Sequence, residues 1–155
     1  MRFFRSSEIA GIARETLDFI FETCRDTHPN EFIGIMRATE ADDLNLDKEG
    51  RVITDVMVIP GTKSGRTRAT LRDDMVPLNL GGVGTVHSHP SGVAQPSKAD
   101  LVTFSKKGKR HIIVASPYSI ESWRCFDSSG EEVELEVLDV ELDDVGEVYD
   151  EFDDM

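Results

Sequence analysis

GVGTVHSHPSGVAQPSKADLVTFSKKGKRHIIVAS, residues 82–116, carries the pattern from which the rest of the chain can be placed. Gly82 to His89 reads as a strand whose small residues let other backbone approach closely. Pro90 to Pro96 follows, with two prolines and Gly92, a composition suited to a defined, non-regular path. Residues 97–110 then have helix punctuation at both ends. Ser97 is placed to cap the start, with Asp100 three residues on in the manner of a capping box. Lys106 and Lys107 fall in the last turn, and Gly108 suits the C′ position. HIIVAS, 111–116, returns to a strand. Strand, loop, capped helix and strand in this order predict an α/β domain.

Working outward, Ile9, Ile12, Ala13, Thr16, Leu17, Ile20 and Cys24 follow i, i+3, i+4 spacing and predict an amphipathic helix over 8–24. Ser6 or Ser7 would cap it, and it should stop before His28-Pro29-Asn30. EFIGIMRA (31–38) predicts a buried strand, followed by an acidic loop at 39–50. RVITDVMVIP (51–60) is β-branched and predicts another strand. GTKSGR (61–66) has turn composition, a short strand through Ala69 and Leu71 follows, and 72–82 is irregular. IESWRCF (120–126) and EEVELEVLDVE (131–141) flank DSSG and predict a hairpin. The fold class expected is a mixed central β-sheet with flanking helices, as one domain over 1–141. Residues 142–155 form an acidic segment in which Val145, Val148, Tyr149 and Phe152 have amphipathic-helix spacing.

Charge narrows the function. Net charge is −13, and 131–155 holds thirteen Asp or Glu with no Lys or Arg; the other 17 acids balance all 17 bases in the rest of the chain. A neutral body is not built to hold nucleic acid by general electrostatics. No apolar run is long enough to span a bilayer, and the N-terminus lacks the h-region of a signal peptide. Two cysteines, Cys24 and Cys125, far apart, predict no disulfide framework and a cytoplasmic protein with reduced thiols. A homo-oligomer is compatible with the sequence and not required by it.

His87 and His89 sit two apart on a strand end, so both rings share a face. Two such imidazoles can reach one ion at about 2.0–2.1 Å, and a catalytic zinc wants three protein ligands with one position open. Asp100, in the first helical turn, can be the third if the loop folds back. The capping box remains a locally sufficient explanation of Ser97 and Asp100. A base is also needed for hydrolysis. Glu31, leading into a buried strand, is the candidate, and a merely exposed strand start is the alternative. His28 and His111 read as structural or exposed.

Taken together, Glu31-Phe32-Ile33-Gly34, His87-Ser88-His89-Pro90 and Ser97-x-x-Asp100, with the seven residues Pro90 to Pro96 between His89 and Ser97, resemble the JAMM (MPN-plus) metalloprotease domain. The resemblance runs from the first helix to near residue 141, and HPNEFIG looks like the short archaeal, desampylase-like members. It implies an MPN/cytidine-deaminase-like architecture and one Zn2+ per chain, held by His87, His89 and Asp100 with a water in the fourth position. It implies that Glu31 takes and returns the water's proton. Ser97 would bond the oxyanion or the water, and Ser88 would support the site from behind. It also implies a substrate: a ubiquitin-like small modifier protein or its conjugates, cut after the C-terminal glycine. Two alternatives go with it. One is a hydrolase releasing an amino acid or other adduct from a ubiquitin-like sulfur carrier. The other is a non-catalytic MPN scaffold, although such scaffolds usually lack a ligand and this chain lacks none.

Overall fold

A computed structural model describes residues 8–59 and 82–142. The expected turn at 61–66, the strand through Ala69 and Leu71, the capping serines Ser6 and Ser7 and the C-terminal helix lie outside those residues. The described elements are β1 (Ile9–Ala13), α1 (Arg14–Thr27), β2 (Ile33–Glu40), a single 3-10 turn (Ala41–Leu44), β3 (Arg51–Val58), β4 (Gly82–His89), α2 (Lys98–Lys106), β5 (Arg110–Ala115), β6 (Trp123–Phe126), β7 (Glu132–Val133) and β8 (Val137–Leu138). They form the expected mixed α/β architecture around one sheet, with strand order β7-β6-β5-β4-β2-β3-β1-β8. No helix among them is long and apolar enough to cross a membrane.

The sheet cannot lie flat. β7 and β8 are its opposite edges, yet only residues 134–136 join them. The four steps from Val133 to Val137 reach at most about 14 Å. Eight flat strands at about 4.8 Å spacing would hold the edges about 34 Å apart. The sheet therefore curls until its edges nearly meet.

Strand alternation sorts the two faces. Val86, Ile112 and Val114 point to the main core with Leu17, Ile20, Phe21 and Cys24 of α1. Neighbouring residues of the same strands point to α2, where Phe104 packs with Ile113 and Phe126. β4 and β5 run parallel with His87 opposite Ile113 and His89 opposite Ala115. Parallel neighbours need a crossover, which α2 supplies. Gly108, just past the helix, has φ +127, a conformation that favours glycine.

Two expectations need correcting. The helix predicted over 8–24 begins only at Arg14, and residues 9–13 are strand β1, paired in parallel with β3 and β8. Helix and strand patterns coincide here because Ile12 and Ala13 are both fully buried. The structure shows why Gly11 suits the strand: a Cβ there would lie 2.5 Å from the Glu136 carbonyl oxygen and 2.9 Å from Leu138 Cδ1, so this position needs close backbone approach. No side chain caps α1, whose N-cap is Ala13. The hairpin is also shorter than expected. Residues 131–141 do not run as one strand beside β6. Val133 and Glu132 pair with Cys125 and Phe126, and then the chain leaves for the far edge, where Val137 and Leu138 pair with Ile12 and Ala13. Leu135 and Val137 pack on the main core and Leu138 on a smaller cluster with Ala13, Ala41 and Val52. Covering apolar residues at two edges wins over prolonging one ladder.

His111 is fully buried and bonded at both nitrogens. Its Nδ1 accepts from the Thr85 N–H (3.2 Å) and lies 2.7 Å from Thr85 Oγ1, while Nε2–H donates to the Gly108 carbonyl at 3.0 Å. The ring stacks on Phe104, centroids 4.4 Å apart. Burial is the main reason its pKa falls from 6.5 to about 4. The unfolded chain therefore binds the proton first as pH drops. The contribution of His111 to stability is complete above about pH 6.5 and lost between there and pH 4, a change on the order of 3 kcal/mol. In NMR titration of the protein, the His111 ring should keep its neutral shifts down to about pH 5; a midpoint near 6.5 would contradict this packing.

Candidate metal centre

The C-terminal end of β4 and the N-terminus of α2 meet at one point. His87 Nε2 lies 3.0 Å from His89 Nε2. It lies 3.2 Å from one carboxylate oxygen of Asp100, and His89 Nε2 lies 3.2 Å from the other. Metal–ligand distances of about 2.0–2.1 Å at tetrahedral angles put ligand atoms about 3.3 Å apart. The three groups thus outline one face of a tetrahedron of that size, and among the described residues they form the cluster able to hold a metal ion. Two imidazoles and a carboxylate with a side left open suit zinc in a catalytic setting.

Each ligand is held from behind. His89 Nδ1–H donates to the Val93 carbonyl at 2.8 Å, which leaves the Nε2 lone pair for the centre. His87 is buried, its ring 6.5 Å from that of Phe104, so the stacked Phe104–His111 pair forms the wall behind it. Asp100 Oδ2 accepts from the Ser97 N–H at 2.9 Å, and Ser97 Oγ accepts from the Asp100 N–H at 3.0 Å. The capping box is therefore real. It also aims the Asp100 carboxylate at the histidines, so the capping and ligand explanations coexist.

The electrostatics follow. Burial works against the charge on Asp100, but the neighbouring His87 and His89 rings outweigh it and hold the carboxyl well below the usual carboxylate range. Burial alone would lower the His89 pKa. The Asp100 carboxylate and the Val93 carbonyl outweigh it, and Glu31 adds a further upward push.

Glu31, expected to open the strand over 31–38, stands two residues ahead of it. β2 starts at Ile33, opposite His87. Just before it, Phe32 N–H donates to Ser88 Oγ at 2.8 Å and Ser88 N–H donates to the Phe32 carbonyl at 3.0 Å. Continued one step further, this register puts half-buried Glu31 beside His89, on the face that His87 occupies. Gly34 lets β3 come close, since a Cβ there would sit 2.9 Å from the Met57 carbonyl oxygen. All five residues picked from the sequence are therefore near one another. Sequence reasoning missed the Val93 carbonyl, because backbone groups leave no residue-type signal.

A family model described as prokaryotic homologues of the JAB domain matches residues 13–126. A probable metalloprotease from Haloferax volcanii is 49% identical over 150 residues, 97% of this chain and 92% of that one. Among solved structures, a JAB1/MPN domain protein from Archaeoglobus fulgidus is similar at 36% identity and TM-score 0.62, over 83% of this chain and 99% of that one. Another, described as JAMM, a metalloprotease-like zinc site in the proteasome and signalosome, is similar at 34% identity and TM-score 0.61, over 85% and 100%.

Proposed function

The chain belongs to the prokaryotic homologues of the JAB domain and is a zinc metallopeptidase, and on that premise we propose that it cleaves after the C-terminal glycine of a small ubiquitin-like modifier, releasing it from a lysine or a peptide. The observation that carries this reading is the His–His–Asp triangle at the end of β4, with Glu31 two residues before the strand that pairs with His87.

His87 and His89 would hold zinc through Nε2, and Asp100 through its carboxylate. When bound, zinc acidifies water towards a pKa of about 7 and polarises a carbonyl. Glu31 accepts the proton of the attacking water at its carboxylate and delivers it to the departing amine nitrogen. Ser97 accepts the Asp100 N–H at Oγ, so its own hydroxyl proton can be given to the carbonyl oxygen as negative charge develops there. Ser88, fully buried, fixes the backbone next to Glu31.

The modifier reading rests on the family resemblance. The stretch 61–82, which precedes the metal strand, carries no long insertion, which favours a small modifier over a ubiquitin chain. We take 1–141 as the catalytic domain and 142–155 as an acidic appendage. We place the reaction in the cytoplasm, where the two buried thiols Cys24 and Cys125 would stay reduced. Burial also pushes both thiols up to about 12, so neither is a nucleophile.

The test supplies one zinc-loaded preparation with lysine conjugates of a small ubiquitin-like modifier and with an aminoacyl adduct of a ubiquitin-like sulfur carrier. Release of free modifier and intact lysine is expected. Intact conjugates alongside a cleaved adduct would transfer the substrate to the sulfur-carrier reading, and cleavage of neither would remove both.

A further inference from the structure

Glu31 lies on a loop, between the end of α1 and the start of β2. A carboxylate there needs something to hold it. On its C-terminal side the answer is the Phe32–Ser88 exchange of hydrogen bonds. On its N-terminal side, three residues back, His28 Nδ1 meets the hydroxyl of Tyr118 at 2.6 Å. The two rings pack edge to face, centroids 5.5 Å apart. One turn earlier in α1, Arg25 donates from Nη1 to the Tyr118 carbonyl at 2.7 Å. Two side chains from the end of α1 thus grip both ends of one residue.

Tyr118 is an unusual residue to grip. It is buried, and its φ is +64, a left-handed conformation uncommon for an aromatic side chain. Such a conformation persists where the surroundings over-determine it, and it clusters at functional sites. The turn that carries it is tied to the metal strand, because the Ser116 N–H donates to the His89 carbonyl at 3.1 Å. Burial raises the Tyr118 phenol pKa, and Cys24 and Glu31 raise it further.

We propose that Tyr118, held by His28 and Arg25, is a positioning residue that locks the Glu31 loop to the turn behind His89 and so fixes the carboxylate against the metal face. This rests on the reading of Glu31 as the base. The clamp links His89, through Ser116, Tyr118 and His28, to the segment that carries Glu31. A displacement of about 1 Å at a reacting group can cost about 100-fold in rate, so loosening this clamp should act on turnover and spare substrate binding.

Tyr118→Phe keeps the ring and removes the hydroxyl. With the zinc-loaded enzyme it should lower kcat about 10- to 100-fold, with KM within about twofold and with zinc content and Tm unchanged. His28→Ala, which breaks the same contact from the exposed side, should reproduce the effect. In a Glu31→Gln background the Tyr118→Phe change should have no further effect on the residual rate, whereas a merely structural role would cost the same in both backgrounds. A crystal structure of the Tyr118→Phe protein gives an arm independent of any substrate: the Glu31 carboxylate should move or take several rotamers, while His87, His89 and Asp100 stay in place. Unchanged kcat, an equal loss in both backgrounds, or an unmoved Glu31 would each overturn the proposal. A wild-type enzyme that cleaves no conjugate would count against the substrate reading, and the crystallographic arm would still decide the role of Tyr118.

Discussion

Glu31→Gln should leave about one zinc per chain in place and lower hydrolysis by between 10² and 10⁴, the usual worth of a positioned general base. The two side chains have the same shape, and Glu31 is not one of the three groups in the metal-sized triangle. What the change removes is the carboxylate's basicity beside His89, where its charge is already felt. Metal content by atomic absorption, read beside kcat on one preparation, separates the two effects. An active Glu31→Gln protein would take Glu31 out of the mechanism, and one that had lost its zinc would make Glu31 a ligand.

The second large effect is expected from Asp100→Asn. The amide oxygen can still accept the Ser97 N–H, and the Asp100 backbone N–H still reaches Ser97 Oγ, so the capping box survives. The anionic ligand does not survive. Zinc affinity should fall by more than about 100-fold, beyond the 10- to 100-fold that losing a partner behind a ligand costs. Activity should fall with it, while the Tm of the metal-free protein shifts little. Ser97→Ala is the complementary change: it removes the cap, at about 0.5–2 kcal/mol, and keeps the ligand. An Asp100→Asn protein that binds zinc as tightly as wild type would reduce Asp100 to a capping residue.

The fold was legible wherever local chemistry had one solution. β4 was read with its observed bounds, because small residues and alternation agree over 82–89. α2 was read from Ser97 and Gly108, whose roles need no distant partner. The stop of α1 before His28-Pro29 follows from proline sterics alone. Failure came where a distant segment decided the state. Nothing within 8–13 announces that Glu136 and Leu138 will lie against Gly11, and nothing within 131–141 says that Val137 will leave the hairpin for Ile12. The site divided along the same line. His87, His89, Asp100 and Ser97 lie within one local stretch, and Glu31 became readable only in combination with them. Tyr118 had no pattern to betray it, since its part depends on a loop meeting the end of a helix 90 residues away in sequence.

The pairing of β1 with β8 sets a schedule for the chain as it is made. Ile12 leaves the ribosome early, and its neighbour Val137 is 125 residues behind it. At about 5–20 residues per second that interval is roughly 6–25 s. Throughout it, one edge of β1 faces the cell with open N–H and carbonyl groups, the kind of edge that recruits other strands. The last short strand therefore works as a delayed seal. A chain that stalls or is cut shortly before residue 137 would carry its whole metal-binding set and still leave that edge exposed, so it should be lost to aggregation before it is lost to misfolding of the site.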